Sequence, residues 1–163
     1  QYNDRWFLLG AADIDMKILT FALDRIDSVE SLPEKKYVEC REDVTERFEN
    51  ILCVTFYGDR PIEHILFWVG DKSKHYITTK PIHGSQIQYQ GEKERLYKEL
   101  YPQFVGGAFF SIDCIHNYEL IRELCSYGSD LVVLSPEGIR TKIIENLQKS
   151  ISFYSKICSN DEE

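Results

Sequence analysis

From residue 62 onward the sequence switches repeatedly between two periodicities, and that order restricts the fold more than any other feature. IEHILFWV (62–69) has the apolar, β-branched and aromatic character of a strand. DKSKHYITT (71–79) reads as a helix that Pro81 stops, and GSQIQYQ (84–90) as a short strand. GEKERLYKELY (91–101) is helical, with Leu96 and Leu100 four apart. AFFSIDCI (108–115) alternates, setting Ala108, Phe110, Ile112 and Cys114 on one face. Asn117 is placed to cap a helix carrying Leu120, Ile121, Leu124 and Cys125 on one side, and Gly128 suits its end. LVVL (131–134) is apolar throughout, which predicts a central strand. Ser135, Pro136 and Glu137 form a helix start. Ile139, Ile143, Leu147, Ile151, Tyr154 and Cys158 then recur every three or four residues along one amphipathic helix. Strand, helix, strand, strand, helix, strand, with an inserted helix at 91–101 and a final long helix, predicts a ferredoxin-like α/β sandwich.

The first third reads differently. RWFLLGAA (5–12) and ILTFALD (18–24) are two strands, the second alternating with Leu19, Phe21 and Leu23 on one side. DIDMK between them suits a hairpin loop, so the pair is expected to be antiparallel. The Asp13 and Asp15 carboxylates in that loop could hold a cation, but two carboxylates in a turn are usually solvated. RIDSVESL breaks strict alternation and predicts a bent or bulged strand. A polar loop from Pro33, a short helix over 42–49 and a buried strand ILCVTFY (51–57) follow. GDRP (58–61) is turn chemistry and the expected domain boundary. The fold class is therefore α+β: a partial small β-barrel over 1–58, an α/β sandwich over 59–158 and a disordered tail over 159–163.

At 163 residues and 43% hydrophobic content the chain can build a real core. No apolar run reaches the ~18 residues a membrane span needs, and no signal peptide is visible. Five cysteines at irregular spacing, with no CxxC, read as reduced thiols of a cytoplasmic protein. Four scattered histidines make a structural zinc site an unattractive reading, and no cofactor is expected. The nucleotide-loop, nucleophile-elbow and zinc-protease signatures are missing, so the chain is read as non-catalytic. Cys114 and His116 lie two apart, but no third group in the sequence orients them. The net charge of −8 argues against strong nonspecific DNA binding. Residues 71–98 nevertheless carry six basic residues against three acidic ones, which is either a solvated face or a surface for an anionic ligand.

RWFLLG, a charged loop and then TFALDRIDSVESL form a longer pattern that resembles the WYL domain of bacterial transcriptional regulators. Trp6-Phe7-Leu8 matches its Trp-Tyr-Leu run with Phe for Tyr, and Leu23-Asp24-Arg25-Ile26 matches its LDRI segment. PIHGSQ (81–86), the segment from Asn117 to Gly128, and VLSPEGIRTKI (133–143) resemble the WCX extension that follows WYL domains. The chain departs from the family at Ala22, where an Arg is frequent. The resemblance implies an Sm/SH3-like barrel with a WCX extension. It implies an effector-sensing and dimerising region that binds single-stranded nucleic acid or a nucleotide. It also implies duplex DNA as a partner through an upstream helix-turn-helix, a homodimer, and no membrane. The opening on Gln1, directly before an apolar run, reads as a fragment whose upstream part is missing.

Arg5 and Arg25 are the candidate phosphate contacts, because a guanidinium offers a planar fork of donors. Either could instead pair with a neighbouring carboxylate such as Asp24 or Asp27. Trp6 is expected in the core, with Phe7 alternating to the opposite face. His83, Ser85 and Gln86 form a second candidate cluster, serving backbone groups of their turn or contacting a ligand or second protomer. The competing reading is an oligomerisation module without a ligand.

Overall fold

The computed structural model describes residues 4–11, 18–39, 43–58 and 60–160. Four strands make the main sheet: β3 (Glu63–Val69), β4 (Ile87–Gln88), β5 (Ala108–Cys114) and β6 (Leu131–Ser135). Their order is β4-β5-β3-β6, and all neighbours are antiparallel. Four helices accompany the sheet: α2 (Asp71–Thr79), α3 (Gly91–Leu100), α4 (Tyr118–Ser126) and α5 (Glu137–Asn160).

Alternation along the central strands builds a core on each face of the sheet. Ile65, Phe67 and Val69 of β3 share one face with Phe110 and Ile112 of β5, and Ile77, Leu120, Leu124 and Ile139 from α2, α4 and α5 cover it. The Phe67 and Phe110 rings stack at 5.8 Å. On the other face Leu66, Phe109 and Leu134 meet Tyr89, with Tyr97 of α3 and Phe104 packed against them. Each wholly buried Phe contributes about 1.5–3 kcal/mol, and the inserted helix exists to give Phe109 a roof.

β1 (Phe7–Ala11) and β2 (Ile18–Ala22) form the expected antiparallel hairpin, with Leu8 opposite Phe21. A 3-10 turn, Leu23–Arg25, follows, and Leu23 N–H closes onto Trp6 C=O at 3.0 Å. The hairpin is a sheet of two strands, and no barrel closes among the described residues. The DIDMK loop, with its Asp13 and Asp15 reading, lies outside them, as do Cys40 and residues 161–163.

Several expectations need correction. Residues 26–32 form neither strand nor bulge; they are irregular and exposed, because no described strand offers them a ladder. Residues 51–57 are a turn and an irregular segment, with only Ile51 bridging Ile115. Asn117 explains that outcome: its Nδ2 donates to Leu52 O at 2.7 Å and Thr55 O at 2.9 Å, so a side chain takes the carbonyls a strand partner would have taken. β6 is an end strand, not a central one; its apolar run is covered by α5 and by both cores instead. Trp6 is 61% exposed, and Leu19 and Phe21 also face solvent, since no second layer covers the hairpin among the described residues. The final helix includes Ser159 and Asn160, placed by the sequence in a tail.

Side-chain caps start two of the helices, whereas Ser135, expected as the cap of the last helix, is the final residue of β6 and α5 starts at Glu137. Asp43 caps α1 (Val44–Glu49) through Thr45 N–H at 2.8 Å. Asn117 Oδ1 accepts Leu120 N–H at 2.9 Å to start α4. Asn117 thus does two things: it caps α4 and holds 52–55 beside it, which sets the position of the candidate site.

Candidate functional site

A depression of about 730 Å³ lies between the hairpin and the start of α4, within the range of small-ligand sites. Arg5, at the entry to β1, and Arg25, at the end of the 3-10 turn, both line it. Arg5 Nε lies 3.5 Å from Asp24 Oδ2, with both side chains about half exposed, so this pair is worth little by itself. Arg25 makes no ion pair with a described residue. Asp24, the neighbour that could have neutralised it, is turned to Arg5 instead.

Phe7 lines the same wall, while Trp6, exposed, does not. The opposite wall comes from α4 and from the segment that Asn117 holds: Thr55, Phe56, Tyr118, Glu119 and Arg122. Glu119 is only 7% exposed. Thr55 Oγ1 donates to its Oε1 at 2.6 Å, while Oε2 is closed off from bulk water and has no hydrogen-bond partner among the described residues. Sequence reasoning missed Glu119 and Arg122. A signal was present, since both sit within the first turns after a capping Asn117, three residues apart. What turns that helix end toward the hairpin is the packing of 50–56, which no local pattern reports.

His83, Ser85 and Gln86 lie elsewhere, in the turn between α2 and β4. His83 and Ser85 line a second, open depression of about 600 Å³ together with Ile51, Ile62 and Asp113. Ser85 Oγ bonds both the carbonyl (3.0 Å) and the N–H (2.8 Å) of Asp113, and lies 2.7 Å from His83 Nδ1. Gln86 Oε1 accepts Ile82 N–H at 3.0 Å and its Nε2 donates to Ile77 O at 2.9 Å. These three side chains therefore bond backbone groups of their own turn, of α2 and of β5. Burial lowers the His83 pKa; the backbone carbonyl of Glu49, the Asp113 charge and the carbonyl of Ile51 oppose that shift.

Cys114 is wholly buried, and burial, reinforced by the Glu63 and Asp113 charges, pushes its thiol up to about 12. It therefore supplies no thiolate near neutral pH. His116 is turned to Glu63 through Nδ1 and to Lys142 through Nε2, the latter at 2.8 Å. Cys114, Cys125 and Cys158 form no disulfide among the described residues. Among the described residues no cluster of three or more His, Cys, Asp or Glu is arranged to hold a metal ion. No described helix is long and apolar enough to cross a membrane. In the basic run, Lys74 pairs with Asp71 and Lys98 with Glu94. None of residues 71–98 lines the first depression.

A family model for the WCX domain matches residues 64–151, more than half of the chain. The chain belongs to the WCX domain family. This membership is consistent with the C-terminal part of a WYL-type transcriptional regulator. No curated protein matches the chain.

Proposed function

We propose that this chain is the effector-sensing and dimerising region of a cytoplasmic WYL-type transcriptional regulator. It is non-catalytic, and it binds an anionic effector, single-stranded nucleic acid or a nucleotide, in the depression between hairpin and α4. The observation that carries the reading is Arg25: a guanidinium with no ion pair among the described residues, beside Arg5, in a concave site with aromatic walls. The hairpin is read as part of an Sm/SH3-like barrel. The antiparallel order β4-β5-β3-β6 supports a ferredoxin-like sandwich for the rest. A ligand seated between the two touches both, so its differential affinity for two relative arrangements could reorient an upstream helix-turn-helix on duplex DNA.

The test is fluorescence anisotropy of a short labelled single strand at two salt concentrations. Saturable binding that weakens with salt is expected. Arg25→Ala should weaken it roughly 10-fold or more, the loss of one charge-assisted contact of about 1.5–3 kcal/mol. Unchanged affinity in that variant removes Arg25 from the site. A second reading, an oligomerisation module without ligand, is favoured by one observation: Ile144, Leu147, Ile151 and Tyr154 of α5 are all exposed.

A further inference from the structure

His116 follows the buried Cys114 by two residues, yet both of its ring nitrogens bond other groups. Nδ1 faces the Glu63 carboxylate at the start of β3. A carboxylate has acceptor positions only, so Nδ1 carries the hydrogen. Nε2 lies 2.8 Å from Lys142 Nζ, in the second turn of α5. An imidazolium and an ammonium would each point a hydrogen at the other across that gap, so the two nitrogens share one proton. Three segments distant in sequence thus supply a row of carboxylate, imidazole and amine. The His116 and Glu63 side chains are only 18% and 25% exposed, whereas Lys142 is exposed. The row therefore ends in a primary amine that a reagent in solution can reach. None of its members lines either depression.

A nucleophile beside a base that a third group orients is the arrangement that activates a side chain for attack on a carbonyl. We infer that Lys142 is an acylation site, with His116 as its general base and Glu63 as the group that orients His116. The co-reactant is a small activated acyl donor, an acyl phosphate or an acyl thioester. The Lys142 ammonium first gives one proton to water, which leaves a lone pair on Nζ. That pair attacks the acyl carbonyl carbon, and the C–N bond forms. His116 Nε2 takes the proton from the new cationic nitrogen, while Glu63 stabilises the imidazolium through Nδ1–H. The bond from the carbonyl carbon to the phosphate oxygen, or to the thioester sulfur, then breaks. The leaving group departs with that electron pair and takes the proton from His116. The products are an uncharged amide on Lys142 and free phosphate or thiol, and nothing is oxidised or reduced. Arg60 also bonds His116, its Nη1 donating to the backbone carbonyl at 3.1 Å. Two cations around one histidine favour the donor whose leaving group is a phosphate.

The experiment incubates the chain with acetyl phosphate and, separately, with acetyl-CoA, and follows acetylation of each lysine by peptide mass spectrometry. Lys149, seven residues on, is the internal control: it is exposed on the same side of α5, but His116 Nε2 is bonded to Lys142. Lys142 should react at least about tenfold faster than Lys149, a modest share of what a positioned general base supplies. His116→Gln should bring Lys142 down to the Lys149 rate and leave Lys149 unchanged. Glu63→Gln keeps an acceptor for Nδ1–H without the charge, and should fall between. Comparing two lysines of the unaltered chain needs no variant, so the inference stays testable if either variant folds poorly. Faster reaction of Lys142 with acetyl phosphate alone supports the site with an acyl phosphate as the source. The same preference with acetyl-CoA alone supports it with a thioester as the source, and with both donors it supports a site open to either. Equal rates at the two lysines with both donors overturn the inference, since a contact that merely pins α5 gives Lys142 no advantage. A fast Lys142 that His116→Gln leaves unchanged, at an unaltered thermal midpoint, overturns it as well.

Discussion

His83 shows how one side chain can carry a local structural duty that also titrates. Its ring is buried in the turn before β4, accepts Ser85 N–H at Nδ1, and has its pKa lowered first by burial. In the unfolded chain it returns to about 6.5. A lowered folded pKa means the unfolded state binds more protons in that window. Stability from neutral His83 is therefore full above about 6.5 and is lost as pH falls through the folded value. Chemical denaturation from pH 7.5 down to pH 5 should show a falling midpoint, and His83→Asn should make that fall shallower. An identical slope in the variant would mean that burial does not control this ring. The sequence pattern PIHGSQ already allowed a turn-serving role for His83 and Gln86. It could not specify that Ser85 would grip the Asp113 backbone, which arrives from β5, 28 residues away in sequence.

Among the secondary-structure units, those with strong periodicity formed where their patterns indicated: β3, α2, α3, β5, α4 and α5. Short apolar runs did not all become strands. ILCVTFY and RIDSVESL have strand composition, but a strand needs a partner for its ladder. For the first, the polar partners came from Asn117. The junction before β5 illustrates a tighter constraint. Gly107 has φ +66°, and a Cβ there would lie 2.2 Å from the Val69 carbonyl oxygen, while its N–H donates to Asp71 Oδ1 at 3.0 Å. That bond holds the Asp71 carboxyl below the usual carboxylate range. Gly107→Ala should cost about 2 kcal/mol or more, read as a lowered thermal midpoint. A loss within a few tenths of a kcal/mol would show that the junction yields easily.

For the molecule taken together, the two-sided sheet and the long α5 pose different questions. α5 spans 24 residues, about 36 Å at 1.5 Å per residue. Its first turns enter the core through Ile139 and Ile143, but Ile151 is 63% and Tyr154 70% exposed. Under the dimer reading this stripe is where a second copy would pack. Sedimentation velocity across a concentration series should show association for the chain, and Ile151→Glu should shift it toward monomer without lowering the thermal midpoint. A chain that stays monomeric at every concentration would remove dimerisation from the proposed function.

The amino-acid order was enough to establish the class of fold, the sequence of units in residues 62–160 and the Asn117 cap of α4, because hydrophobic period and capping chemistry act over a few residues. It also pointed to Arg5 and Arg25 through a resemblance carried by contiguous residues. Three outcomes lay beyond it: the end position of β6, the exposed Trp6, and the union of Arg25 with Glu119 in one depression. Each depends on which surfaces meet across long stretches of chain. Periodicity says which face of an element is apolar, whereas its neighbour is chosen by packing and by side chains such as Asn117 that satisfy a distant backbone.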